Sequence, residues 1–188
     1  MYLSGSWFDR ILIALSDWGK DIYSSFYNAI VPDQRYLAYL QGLKITLLIS
    51  FFAIVLGILI GVLVAVFKVT ATNYKMKSLS SVCNVYINVI RGTPLMVQLL
   101  IIYNLIFTSR NANEILIGSV CFGINSGAYV AEIIRAGIES IDKGQMEAGR
   151  SLGMNYIQTM IKIILPQAVR NILPALGNEF IVLIKETS

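Results

Sequence analysis

There is no histidine anywhere in these 188 residues. That excludes Ser-His-Asp triads, HExxH zinc sites and haem ligation through histidine. Cysteine is nearly missing too. Cys83 and Cys121 stand singly in apolar segments, the placement of small buried hydrophobes rather than of a disulfide or metal site. No G-x-x-x-x-G-K-S/T run occurs, so the chain does not bind ATP through a phosphate loop, and no cofactor of its own is expected. Charge is scarce: 14% of residues, against roughly 25% in a soluble domain, too few for an ordinary water-facing surface. An enzyme is not expected.

What remains is apolar, 56% of the chain, gathered into runs of bilayer length. The longest, "ITLLISFFAIVLGILIGVLVAVF" from Ile45 to Phe67, has neither charge nor proline. At about 1.5 Å per residue it spans a hydrocarbon core of roughly 30 Å. Three further spans are expected. One is "PLMVQLLIIYNLIFTS" (Pro94 to Ser109), extended backward by "SVCNVYINVI" with Arg91 between the parts. The next is "ILIGSVCFGINSGAYVA" (Ile115 to Ala131), and the last is "PQAVRNILPALGNEFIVLI", interrupted by Arg170 and Glu179.

Charge gives these spans a direction. Lys68, Lys75 and Lys77 follow the first span with no acid among them, so that linker is expected in the cytoplasm. The second span then exits outside through "RNANE" (Arg110 to Glu114), and the third re-enters. The polar stretch "ESIDKGQMEAGRSLGMNYIQT" (Glu139 to Thr159) therefore falls in the cytoplasm, and the N-terminus outside. The net charge of +4 mostly reflects the lysine-rich linker, and nucleic acid need not be invoked.

The first 40 residues lack the basic start and long apolar block of a signal peptide. Trp7, Ile11, Leu15, Trp18, Ile22 and Phe26 recur at steps of three and four, with Asp9, Asp17, Lys20 and Asp21 elsewhere around the helix. That pattern fits a helix lying in the membrane interface, or a soluble amphipathic segment packed on the protein's own outer face. Residues 1–40 are thus read as an interfacial segment and 41–188 as the transmembrane domain. Two G-x-x-x-G spacings, Gly57/Gly61 and Gly123/Gly127, allow helix backbones to approach closely, either within one chain or between two.

Within the polar stretch, Gly144 and Gly153 bracket helix formers around Glu147 and Ala148. A short helix bounded by turns is expected. Periodicity alone does not say whether it docks a partner or merely connects two spans.

This stretch resembles the signature loop of ABC importer permeases: E-A-A, three residues, G, nine residues, then I-x-L-P. Glu147-Ala148-Gly149, Gly153, Ile163, Leu165 and Pro166 match every anchor except one, Gly149 standing in place of the second alanine. That change keeps the residue small, at about 1 kcal/mol of helix propensity. "RGTPLMVQL" (Arg91 to Leu99), "SGAYVAEIIRAGIESIDKGQ" (Ser126 to Gln145), "ILPQAVRNILPALGN" (Ile164 to Asn178) and "LIKETS" (Leu183 to Ser188) are similar to blocks of the subgroup importing polar amino acids. "QGLKITLLIS" (Gln41 to Ser50) is similar to that subgroup's entry into the first core helix.

The resemblance implies an all-α integral membrane protein with the type I ABC importer permease fold, in a prokaryotic plasma (inner) membrane. About four transmembrane helices, an N-terminal interfacial helix and a cytoplasmic coupling helix would be visible. A second permease chain, identical or related, would complete the pathway. Two separate ATPase subunits would hold ATP and magnesium, and an extracytoplasmic solute-binding protein would deliver an amino acid. Glu147, Ala148, Gly149, Arg150, Ser151, Leu152 and Gly153, within a loop at about 139–160, would form the coupling helix seated in the ATPase. Family members continue past "KETS" into another helix, so a final helix is expected beyond Ser188.

Polar groups at mid-membrane are costly and suggest a polar path. Asn125 and Ser126 fall near the middle of the third span, Glu179 about 20 Å along the fourth, and Gln98 on the second. A carboxylate could meet a substrate ammonium and amides its carboxylate, or each could serve an interhelical hydrogen bond. Arg91 and Arg135 lie nearer the cytoplasmic side, where gating, loop anchoring or lipid phosphates are expected roles. Two other readings stay open: a membrane scaffold or sensor docking a partner through the same loop, and a permease for another small polar solute such as an opine or cystine.

Overall fold

The computed structural model describes residues 7–73, 76–106 and 113–188, almost all helical, with no strand among them. Lys75 and residues 110–112 of the "RNANE" turn lie outside the described residues. The chain divides into two compact units, one up to Lys44 and one from Ile45 to Ser188.

In the first unit the expected amphipathic helix is present as α1 (Trp7–Ile30). Trp7, Ile11, Leu15, Trp18, Ile22 and Phe26 are all exposed on it. A one-turn segment, Pro32–Gln34, follows, with Asp33 and Gln34 both at φ 55°, a left-handed conformation that residues other than glycine seldom adopt. α2 (Arg35–Asn73) then begins, and Arg35 donates back to the Asn28 carbonyl at 3.5 Å.

The second unit is organised around α5 (Glu114–Glu139). Its most apolar stretch is 67% buried, whereas that of α2 is 22% buried, which makes α5 the hub and α2 a wall. Phe51, Phe52, Val55, Leu59, Leu63 and Val66 of α2 are exposed. A helix apolar on every side and largely uncovered is stable where its surroundings are apolar too. Among the described residues, these are the two helices that by themselves are long and apolar enough to cross a membrane. Asn113 caps α5, its side chain accepting from Ile115 N at 3.0 Å and Leu116 N at 3.4 Å.

The two glycine pairs pack against each other's helices within one chain. A Cβ on Gly57 would meet Ser126 Oγ at 2.8 Å, and one on Gly61 would meet Val130 Cγ1 at 2.5 Å. Reciprocally, a Cβ on Gly123 would meet Leu56 at 2.7 Å, and one on Gly127 would meet Ile60 and the Tyr86 hydroxyl, each at 2.8 Å. The alternative of a contact between chains is not needed for either motif. Because Ile49 meets Gly118, Leu56 meets Gly123 and Gly61 meets Val130, numbers rise together and α2 runs parallel to α5.

The second expected span is broken. α3 (Lys77–Gly92) and α4 (Leu95–Ile101, continued by a π turn, Ile102–Ile106) meet at a 105° bend, and only as a bent pair do they make a third membrane-length element. The reason was visible in "GTP": proline lacks an amide hydrogen and drives the preceding residue out of helical conformation, and Thr93 is extended at ψ 131°. α8 (Leu165–Thr187) is a continuous helix of 23 residues, antiparallel to α5, since Ser126 meets Glu179 while Gly137 meets Ile172. Ala53, Ile54, Phe122 and Leu183 form the core where α2, α5 and α8 converge. Cys83 and Cys121 are free and buried, as expected of small hydrophobes.

Candidate functional site

Two places carry the residues singled out from sequence: the loop between α5 and α8, and the polar interior beside α5. The loop is short and heavily capped. α6 (Lys143–Ser151) starts at Asp142, whose carboxylate accepts from Gly144 N at 2.7 Å. It ends in a Schellman turn: Gly153 N donates to Arg150 O at 3.0 Å and Met154 N to Gly149 O at 3.1 Å. Gly153 sits at φ +81°, which explains a glycine there. Asn155 then opens α7 (Tyr156–Thr159) with a reciprocal capping box to Gln158, both bonds at 2.9 Å. A π turn, Met160–Ile164, leads into α8.

Of the seven residues assigned to the coupling helix, Glu147, Ala148, Arg150, Ser151, Leu152 and Gly153 are exposed. Leu152 is 81% exposed, an apolar knob at the end of a polar helix. Gly149 alone is buried, against Thr159 and Ile163. Its smallness therefore serves packing within this chain, a role that its spacing did not reveal.

The four mid-span polar residues form two buried pairs. Asn125 Nδ2 donates to Gln98 Oε1 at 3.2 Å, and Ser126 Oγ donates to Glu179 Oε1 at 2.9 Å. Asn125 and Ser126 are adjacent on α5 yet serve different neighbours, one tying α4 and the other α8. The Gln98 amide also donates to the carbonyls of Ile90 and Thr93, at 2.7 and 2.9 Å. Those are carbonyls of the broken stretch, which the 105° bend would otherwise leave poorly satisfied. Chemically the two pairs offer amide, hydroxyl and carboxyl groups in a setting where a passing polar solute could exchange partners with them.

Arg91 and Arg135 join a charge cluster rather than standing alone. Glu132 is the hub: Arg135 Nε donates to its Oε2 at 2.9 Å, and Arg91 lies 4.0 Å from its Oε1. Arg135 also pairs with Glu139. The Arg91 guanidinium sits 5.1 Å from the centre of the Tyr129 ring. Glu132, Tyr129 and Tyr86, whose hydroxyl donates to Ile124 O at 2.7 Å, were missed from sequence. An i, i+3 pair such as Glu132 and Arg135 on one helix face is a readable signal.

Helices of membrane length, paired polar groups between them and a capped, exposed helix at one end fit a membrane transport component. The chain belongs to the family of binding-protein-dependent transport system inner membrane components, whose model matches residues 53–188. It is 44% identical over 156 residues to a putative glutamine transport system permease protein of Rickettsia prowazekii, covering 82% of this chain and 70% of that one. It is 37% identical over 164 residues to an arginine transport system permease protein of Bacillus subtilis, covering 86% and 72%. A crystal structure of an amino acid ABC transporter with histidines superposes with a TM-score of 0.74 at 47% identity, covering 84% of this chain and 74% of that one. The resemblance drawn from the loop motif is borne out: this is an ABC transporter permease, with the fold that resemblance implied.

Proposed function

We propose that this chain is the pathway-forming permease of an ATP-driven importer of polar amino acids in a prokaryotic plasma membrane. Glutamine and arginine permeases among its relatives support the substrate class. A second permease chain completes the pathway, and an extracytoplasmic solute-binding protein delivers the amino acid. ATP, with magnesium, is bound and hydrolysed by two separate ATPase subunits. The N-terminus lies outside and α6 faces the cytoplasm, in line with Lys68, Lys75 and Lys77, which follow the first apolar run.

The observation that carries the reading is the exposed helix α6, fixed at both ends by side-chain and Schellman capping, at the junction of α5 and α8. A helix held this firmly moves as a body. When the ATPases close, α6 is displaced with them, and α5 follows through the short turn at 140–142 and α8 through α7 and the π turn. The same two helices carry Asn125, Ser126 and Glu179, so displacement alters the polar pairs along the route. Glu179 and Gln98 then present a carboxyl and an amide to the substrate's ammonium and carboxylate.

The test uses the permease assembled with its ATPase and binding-protein partners in vesicles. Glu147→Arg and Gly153→Arg should each abolish uptake or assembly. Normal assembly and normal uptake with both altered would make the loop a mere connection and sink the coupling role.

A further inference from the structure

α6 has one buried position in nine residues, and it is a glycine. A Cβ at Gly149 would lie 2.5 Å from Thr159 Cγ2, 2.9 Å from Thr159 Oγ1 and 3.1 Å from Ile163 Cδ1. The first two distances are shorter than any real contact allows, so alanine would force α6 away from what lies beneath it. Thr159 cannot easily yield. It is 0% exposed, and both its amide and its hydroxyl donate to Asn155 O at 3.0 Å. Asn155 is itself locked by its capping box. Ile163, the third neighbour, belongs to the π turn Met160–Ile164 that starts α8. A π turn holds one residue more than the helix around it and often marks a point that bends.

We propose that Gly149 and Thr159 are a size-matched joint that sets the height of α6 and passes its motion directly into the π turn at the base of α8. This rests on the reading that α6 docks an ATPase subunit. With no side chain on Gly149, the backbone of α6 bears on Thr159 without a flexible group between them. The Thr159 methyl fills the space that an alanine at 149 would take. α6 also packs on the π turn and on α7, while its hydrogen bond with α8 itself, from Gln167 Nε2 to Gln145 Oε1, is long at 3.5 Å. Gly149 and Thr159 are therefore positioning residues, and their sizes should be interdependent.

The test compares Gly149→Ala, Thr159→Ala and the double variant in the complete transporter in vesicles, reading assembly, ATP hydrolysis and uptake per ATP. Thr159→Ala removes both clashing atoms, while the Thr159 amide keeps Asn155 O paired. Gly149→Ala should assemble and hydrolyse ATP yet lose about tenfold in uptake per ATP, as for a barrier change of ~1.4 kcal/mol. The double variant should recover to within about twofold. A wild-type ratio in Gly149→Ala, or a double variant no better than the single, overturns the joint. Should Gly149→Ala fail to assemble, Thr159→Ala alone decides. A loosened joint lowers uptake per ATP in a complex of normal stability, and an unchanged ratio overturns the proposal. Leu152→Arg, on the exposed side of the loop, separates the two ideas. If it leaves assembly and uptake intact, the docking role itself fails, whatever the Gly149 series shows.

Discussion

Adding one methyl group at Gly61 should loosen the whole bundle. In Gly61→Ala the new Cβ would lie 2.5 Å from Val130 Cγ1, 2.6 Å from Val130 Cβ and 3.0 Å from Ala131 N. Ordinary carbon contacts are about 3.5–4.0 Å, so relief requires α2 and α5 to separate by roughly 1 Å. Two of the three clashing atoms are a Cβ and a backbone nitrogen, which rotamer changes cannot move. Overpacking of this kind costs about 1–3 kcal/mol. At roughly 2–4 °C per kcal/mol for a chain of this size, Tm should fall by about 2–12 °C. The assay is thermal unfolding of the detergent-solubilised protein, followed by helical circular dichroism and by retention on size exclusion, because both tryptophans lie exposed on α1, away from the packed helices. Val130→Ala should not rescue it, because alanine keeps the Cβ at 2.6 Å. An unchanged or raised Tm in Gly61→Ala, or full rescue by Val130→Ala, would refute this packing. So would a shift in oligomeric state with unchanged stability, since that would place the glycine contact between chains.

Ser126→Ala leaves the 9% exposed Glu179 without its hydroxyl partner and should lower stability by about 1–3 kcal/mol, read as Tm. Glu179→Gln can still accept from Ser126 through its amide oxygen. It should keep Tm within a few degrees while reducing uptake, and equal uptake would remove Glu179 from the substrate route. Gln98→Ala frees the Ile90 and Thr93 carbonyls and Asn125 together, and at about 1 kcal/mol per bond should cost ~2–3 kcal/mol, measured by chemical denaturation. Arg91→Ala, at a site 40% exposed, should change stability by no more than about 1 kcal/mol, and by less at high salt. Arg135→Ala should cost more, because Glu132 loses its two-point partner and Arg91 at 4.0 Å is too far to replace it.

Much of the fold could be read in the residue order because lipid is a simple solvent. The uncharged run from Ile45 to Phe67 has one stable conformation in hydrocarbon, so α2 follows from length and composition. The six apolar residues of α1 recur at helical steps and lie on a helix. Gly144 and Gly153 marked the limits of α6 to within a residue or two, since turn chemistry is local. The break at Gly92-Thr93-Pro94 is equally local, but the apolar character of the flanking residues masks it by suggesting one continuous span. Site chemistry was partly legible. Asn125, Ser126, Gln98 and Glu179 were conspicuous as polar residues in apolar runs, but their pairing was not.

What the sequence determined by itself, apart from the family resemblance, was the inventory: which segments are helical and which suit lipid. Those properties depend on backbone satisfaction, period and turn geometry, all set within about a dozen residues. The partners were decided only by tertiary structure. Gly57 and Gly61 face Ser126 and Val130 of the same chain, Ser126 turns to Glu179 while Asn125 turns to Gln98, and Gly149 rests on Thr159 rather than opening outward. Such choices depend on how α2, α5 and α8 rotate and slide against one another, and close packing fixes that rotation through contacts between residues 10 to 137 positions apart.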